Sequence, residues 1–218
     1  MEITTDAKIG IGVLLATVII IGGAAFFANR NQSAGKSNIV PVEQSRLLRE
    51  GGPSTGYSDA QITVVEFGDF QCPACGAVHP IMKQLRQEYT DASIRFVFRH
   101  FPLPQHQYAA LAAQAAETAH AQGKFWEYHD MLFENQQSLN REDLEHYAQT
   151  VGLDVEAFKK ALDENTYKDT VQQDVSTGRS VGIQGTPTIF INGVPYEGQY
   201  TLEGFQAVIN SALQNKAQ

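Results

Sequence analysis

Basic residues are in short supply in this 218-residue sequence: 16 Lys and Arg stand against 24 Asp and Glu, for a formal net charge of −8. Nucleic-acid phosphates would repel such a chain, which argues against a nucleic-acid partner. Cysteine is scarcer, with two in the whole sequence. No segment repeats, and the nearest approach to low complexity is one Ala-rich stretch, "QYAALAAQAAETAHAQG". Long hydrophobic runs are missing too, save one. At 43% apolar the composition is that of a globular protein, and the length suffices for one domain with additions.

The one long run is Ile9 to Ala28, "IGIGVLLATVIIIGGAAFFA", with no charged residue. It matches the span of a hydrocarbon core of roughly 30 Å at about 1.5 Å per helical residue. A buried core helix would show a polar face, and this run has none. A cleaved signal peptide would have a shorter apolar run ending in small residues, whereas Phe26 and Phe27 crowd the cleavage positions. No cysteine lies nearby, so a lipoprotein is excluded. The expectation is a single-pass anchor over 9–28 with a cytoplasmic stub over 1–8. Charge points weakly the other way: Lys8 precedes the run, while Arg30 and Lys36 follow it.

Residues 29–57 are polar and hold "NQSAGKSN" and "EGGPSTG", the composition of a spacer, with "VEQSRLLRE" between them able to form a short helix. The folded domain is expected to begin near Ser58 and run over 58–218. "QITVVEFGDF" (61–70) is a β-branched and aromatic run, a buried strand by composition. After it Val78, Met82, Leu85 and Tyr89 recur at helical spacing, and "SIRFVFRHF" (93–101) alternates as a second strand. Strand, helix, strand of this length predicts a parallel βαβ unit. Helical patterns then fill about 104–180, with Asn140 and Asp143 in cap positions. "TPTIFING" (186–193) returns to strand, Asn192-Gly193 signals a hairpin, and "TLEGFQAVINSALQ" closes as an amphipathic helix.

The two cysteines, Cys72 and Cys75, form Cys-Pro-Ala-Cys at the junction of the first strand and helix. Three readings compete. A structural zinc site needs four ligands and the pair supplies two; the six histidines (His79, His100, His106, His120, His129, His146) show no tight paired spacing. His79, four residues after Cys75, is the nearest helical candidate. A purely structural disulfide closing so short a loop constrains little of the unfolded chain. The redox reading suits the context better. Cys72 at a helix N-terminus faces unpaired N–H groups and the dipole, which favour a thiolate nucleophile. Cys75, one turn on, is placed to resolve a mixed disulfide, and Pro73 occupies a first-turn position that needs no N–H.

"VVEFGDFQCPAC", followed far downstream by "GIQGTPTIFING", resembles the DsbA-type branch of the thioredoxin superfamily over about residues 58–215. The resemblance implies an α/β thioredoxin fold with an inserted helical domain, here preceded by one N-terminal transmembrane helix. It implies further roles. Pro187 corresponds to the family's cis-proline beside the cysteines, and the backbone at Thr186 would pair with a substrate strand. Glu66 corresponds to the buried acid that assists proton transfer, able to take the proton of Cys75. Pro80 corresponds to the proline inside the active-site helix. One position departs from the pattern: the strongest oxidants of the family carry a histidine where Ala74 stands. Each ~30 mV of potential is about 1.4 kcal/mol for a two-electron couple, so a milder oxidant is expected.

The function implied is a thiol–disulfide oxidoreductase that needs no cofactor and donates its disulfide to reduced exported proteins. A membrane quinone reductase of the DsbB type would reoxidise it. A disulfide donor is useful only in an oxidising compartment, so the domain is expected on the extracytoplasmic face, periplasmic or extracellular, against the charge bias. An extracytoplasmic reductase or isomerase of the same fold is the nearer alternative. A non-enzymatic thiol metal carrier, with His79 or His100 joining the cysteines, is the alternative from another class. Phe67 and Phe70 are expected in the core rather than in a substrate groove.

Overall fold

The protein's structure is a computed structural model that describes residues 41–89 and 93–216. The anchor expected over 9–28, with its stub, lies outside the described residues. Among the described residues no helix is long and apolar enough to cross a membrane.

The sheet is built around strand β2 (Ile62–Gly68), all of whose residues are buried. Burial on both faces explains its unbroken apolar composition, which would alternate in a half-exposed strand. β2 runs parallel to β3 (Ile94–His100) with Ile62 opposite Ile94 and Gly68 opposite His100. The helix α2 (Pro73–Glu88) makes the crossover between them, as the βαβ pattern predicts. On its other side β2 pairs antiparallel with β4 (Thr188–Ile191), so that Glu66 sits opposite Ile189. β4 turns at Asn192 and Gly193, with φ of 50° and 80°, into β5 (Val194–Pro195). Asn-Gly tolerates this left-handed pair of residues, which is why the dipeptide was readable as a hairpin.

Two clusters cover the faces of the sheet. On one, Val78, Met82 and Leu85 of α2 meet Phe205 and Ile209 of the closing helix α8 (Leu202–Lys216) over Ile62, Val64, Ile94 and Ile189. On the other, Val65, Phe67, Val97 and Phe190 pack with Phe101, Val175 and Leu47. Between β3 and β4 the chain leaves the sheet for five helices: α3 (Ala109–Ala121), α4 (Phe125–Glu134), α5 (Arg141–Thr150), α6 (Val155–Asp163) and α7 (Lys168–Ser180). Their own core is aromatic and Ala-rich, with Tyr128, Leu132, Leu144 and Phe158 fully buried. The Ala-rich α3 allows close approach of its neighbours. Asn140 caps α5 through a capping box with Asp143, as its position in the sequence indicates.

The spacer assigned to 29–57 is a spacer only in part. Leu47, in the short helix α1 (Gln44–Leu47), is fully buried in the sheet's second cluster. Val42 donates its N–H to the Gly193 carbonyl at 2.8 Å, and β1 (Ser54–Thr55) pairs antiparallel with β3. Arg49 is held by Glu117 and Asp174. Composition misleads here because the anchoring rests on a few scattered side chains, Leu47, Arg49 and Gln44 among them, and on backbone groups, within a sequence otherwise rich in Gly, Ser and Pro. The packed body therefore starts well before Ser58.

Candidate active site

β2 ends at Gly68, and a tight turn delivers the cysteines. Asp69 makes the turn: its carboxylate accepts from the Gln71 N–H at 2.7 Å, the Leu103 N–H at 2.8 Å and His106 Nδ1 at 2.7 Å. Phe70 drives the turn inward, stacking on Phe98 at 5.3 Å and meeting Phe133 at 4.9 Å. Phe67 and Phe70 are thus core residues. Cys72 follows as the N-cap of α2, in extended conformation with Pro73 at the first helical position. Its sulfur therefore sits where the helix presents its unpaired N–H groups.

Both cysteines are reduced and buried. The Cys72 thiol lies 3.4 Å from the Thr186 carbonyl, to which it donates when protonated. Its pKa is lowered to about 5, first by the hydrogen bond from the Cys75 thiol, against burial, and then by Thr186 and the N–H groups of Cys75 and Ala74. The Thr186 hydroxyl is buried with no other partner and is free to turn toward a thiolate. Cys75 is affected in the opposite sense. The bond it gives Cys72, its burial and the charge of Glu66 push it far up. The surroundings favour the anion at Cys72 and the proton at Cys75.

Glu66 lies on the central strand, buried, and burial raises its pKa to about 7, with the Arg86 guanidinium pulling it slightly back. Thr186–Pro187 is a cis peptide, and the Thr186 carbonyl lies 3.4 Å from Cys72 Sγ. The structure thus gathers all five residues singled out in the sequence: Cys72, Cys75, Glu66, Thr186 and Pro187. Pro80 lies inside α2, as expected. Several neighbours were not legible. Tyr200 donates its hydroxyl to the Pro187 carbonyl at 3.4 Å. Gln136, from the loop after α4, donates to the carbonyls of Phe70 and Cys72 at 2.8 and 2.9 Å. Only Asp69 carried a local signal, an Asx turn two residues ahead of Gln71. The others arrive from distant segments.

The histidines do not gather on the cysteines. Among the described residues the two metal-competent groups are His79, His129 and Asp130, and His100, Glu117 and Asp174; neither includes a cysteine. In the first, Asp130 already accepts from Arg86 at 2.6 Å and His129 at 2.9 Å, and burial lowers the His129 pKa to about 3. In the second, Arg49 and Arg99 both hold Asp174, and His100 pairs with Glu117 at 2.9 Å. These are paired structural charges, and a cation at either would meet guanidinium groups already in place.

Comparison with known proteins places this geometry. A family model described as Thioredoxin matches residues 49–211. BdbD from Bacillus subtilis, in its oxidised form, superposes with a TM-score of 0.69 at 28% identity, over 76% of this chain and 94% of that one. A thioredoxin-like oxidoreductase from Silicibacter pomeroyi gives 0.69 at 25% identity, over 79% and 98%. By sequence, the chain is 37% identical to a protein named Na(+)/H(+) antiporter NhaA 3 of Salinispora tropica, over 95% of this chain but 33% of that protein. A second antiporter, NhaA 1 of Salinispora arenicola, is 41% identical over 80% and 26%. The chain spans about a third or less of the length of these relatives. Since the family match runs through both halves of the sheet and the helices between them, the chain belongs to the thioredoxin family, and its fold is that of the DsbA-like thiol–disulfide oxidoreductases.

Proposed function

We propose that the chain is a disulfide donor for exported proteins, held at the membrane with its catalytic domain on the extracytoplasmic face. The observation that carries the reading is the placement of the pair: Cys72 at the N-cap of α2, where its surroundings favour the thiolate, and Cys75 fully buried one turn on, where they favour the thiol. In the oxidised pair, a substrate thiolate attacks Cys72 Sγ. A bond forms between the two sulfurs, the Cys72–Cys75 bond breaks, and Cys75 leaves with the electron pair. Glu66, buried on the central strand with its pKa raised to about 7, would supply the proton that Cys75 then takes. A second substrate thiolate attacks the substrate's own sulfur, and Cys72 departs as the thiolate its surroundings favour. The substrate dithiol has lost two electrons and the protein disulfide has gained them.

Thr186 and Pro187 fit as the place where an extended substrate lies beside Cys72, its backbone pairing with the strand end that carries the Thr186 carbonyl. Reoxidation calls for an acceptor of two electrons, and a membrane quinone reductase of the DsbB type suits it. Relatives named as sodium–proton antiporters lend support to a membrane setting; antiport itself is not proposed for this chain. A low thiolate pKa stabilises the reduced protein and so favours giving a disulfide over removing one, which sets the donor reading above reductase or isomerase.

The test is turnover. The oxidised chain should convert a reduced, unfolded disulfide-containing protein to its oxidised form with stoichiometric loss of its own disulfide. Cys75→Ser, left with a single thiol, should accumulate a mixed disulfide with a substrate that carries an activated disulfide. Oxidation that proceeds equally with Cys72→Ser would overturn the proposal.

A further inference from the structure

The contact of Gln136 with the active-site turn has a geometry that local packing alone does not require. The residue lies 64 positions from Cys72, in the loop between α4 and α5 of the helical insertion. Its amide nitrogen gives one hydrogen to the Phe70 carbonyl at 2.8 Å and the other to the Cys72 carbonyl at 2.9 Å. An amide nitrogen has two hydrogens, so its donor capacity is filled by these two bonds. The orientation of the amide is fixed by the same fact: flipped, its oxygen would face two carbonyl oxygens.

Room for this amide comes from Gly76. A Cβ at Gly76 would lie 2.0 Å from Gln136 Oε1 and 2.6 Å from Cδ. Glycine inside a helix is disfavoured relative to alanine, and Gly76 stands in the first turn of α2 with no positive φ to explain it. The missing side chain is what lets Gln136 reach over the turn. Gly76 also donates its own N–H to the Cys72 carbonyl at 3.1 Å, the first bond of the helix. The Cys72 carbonyl thus receives two donors, one from the helix and one from the insertion.

We propose that Gln136, seated against Gly76, is a positioning residue for Cys72: it fixes the N-cap backbone from the helical insertion and draws negative charge off the carbonyl next to the reactive sulfur. The inference rests on the redox reading above and deepens it. Two effects on Cys72 follow. The sulfur keeps its place over the helix N-terminus, where the dipole acts within the first turn. The carbonyl of the same residue, whose partial negative charge opposes a thiolate, is partly offset by two hydrogen bonds. Loss of Gln136 destabilises the reduced anion, so the disulfide becomes the more stable form and the chain a weaker oxidant. Gln136 touches neither sulfur nor substrate, which makes it distinct from the residues of the exchange itself.

The experiment equilibrates the full chain with glutathione buffers and reads the fraction oxidised, beside a titration of thiolate absorbance at 240 nm and a thermal melt. The variants are Gln136→Leu, Gln136→Glu, Gly76→Ala, and the double variant Gly76→Ala with Gln136→Leu. Gln136→Leu is expected to shift the glutathione equilibrium constant at least threefold toward the disulfide and to raise the Cys72 titration midpoint. Gln136→Glu, which swaps both donors for a carboxylate, is expected to shift both further in the same direction. Gly76→Ala expels the amide and should reproduce the Gln136→Leu shift, while the double variant adds nothing to either. Variants that melt lower yet keep the wild-type equilibrium constant and midpoint would reduce Gln136 to a packing residue and overturn the inference. So would additive shifts in the double variant, since these would mean that Gly76 and Gln136 act separately. If any variant fails to fold, the remaining three still decide. A wild-type chain that does not exchange with glutathione at all would instead refute the underlying redox reading.

Discussion

Reducing the disulfide should make this protein more stable as pH rises, relative to its oxidised form. The Cys72 pKa falls from 9.0, its value in an unfolded chain, to about 5 in the fold. A thiol depressed in this way binds its proton in the unfolded state but not in the native one between those limits. Stability of the reduced form is therefore gained as pH climbs from 5 toward 9, and lost as pH falls back through 5. Four units at about 1.4 kcal/mol each set a ceiling near ~5 kcal/mol. Cys72 sits at the rim of the domain beside exposed Pro73 and Ala74, so solvent screening should reduce the gain to about 2–3 kcal/mol.

The subtraction of the oxidised form isolates this effect. Glu66 is raised chiefly by burial, which both redox forms share, so its contribution largely cancels. The constraint that the disulfide places on the unfolded chain is independent of pH and gives a constant offset. Cys75 opposes only above about pH 9, where an unfolded thiol would begin to ionise and the folded one does not. The assay is denaturant unfolding of both forms at pH steps from 5 to 9. A difference that stays flat or falls across that range would refute the assignment of the anion to Cys72.

Glu66→Gln should stabilise the protein by up to about 3 kcal/mol at pH 8 and by almost nothing at pH 4, because a pKa raised from 4.5 to about 7 penalises the fold increasingly as pH climbs from 4.5 to 7 and fully above that. The same variant should slow disulfide donation, and equal rates would remove Glu66 from the proton path. Asp174→Ala leaves the fully buried Arg99 guanidinium without its 2.8 Å partner and should cost about 3–5 kcal/mol by chemical denaturation. Gly178→Ala brings a Cβ within 2.7 Å of the Phe101 ring and should destabilise by about 1–3 kcal/mol in the same assay, without changing the redox equilibrium. A neutral result there would mean that Phe101 has room to move.

The sequence and the structure agree best where local pattern and burial act together. The strand 62–68 is recognisable because it is buried on both faces and so nearly free of polar residues. The N-cap position of Cys72 follows from a strand ending just before a proline that suits a first helical turn. Glu66 in that apolar strand stands out for the same reason, although only the fold shows its burial. The parts that were not legible depend on long-range contacts. Gln136 lies in a loop whose composition is ordinary, and its partners are backbone carbonyls that leave no mark on sequence. Leu47 and Arg49 sit in a polar segment that reads as a tether, yet a leucine in the core and an arginine on two buried carboxylates fasten it. The buried network of Arg99, Asp174, Glu117 and His100 joins β3 to α3 and α7, and no spacing rule connects those positions.

The most direct measurement of the central claim is the Cys72–Cys75 reduction potential, obtained by equilibrating the full chain with glutathione. A disulfide donor with Ala74 in its motif should lie close to the ~−120 mV of strong oxidants or modestly below it. A potential near the ~−270 mV of thioredoxin would contradict the account and make the protein a reductase.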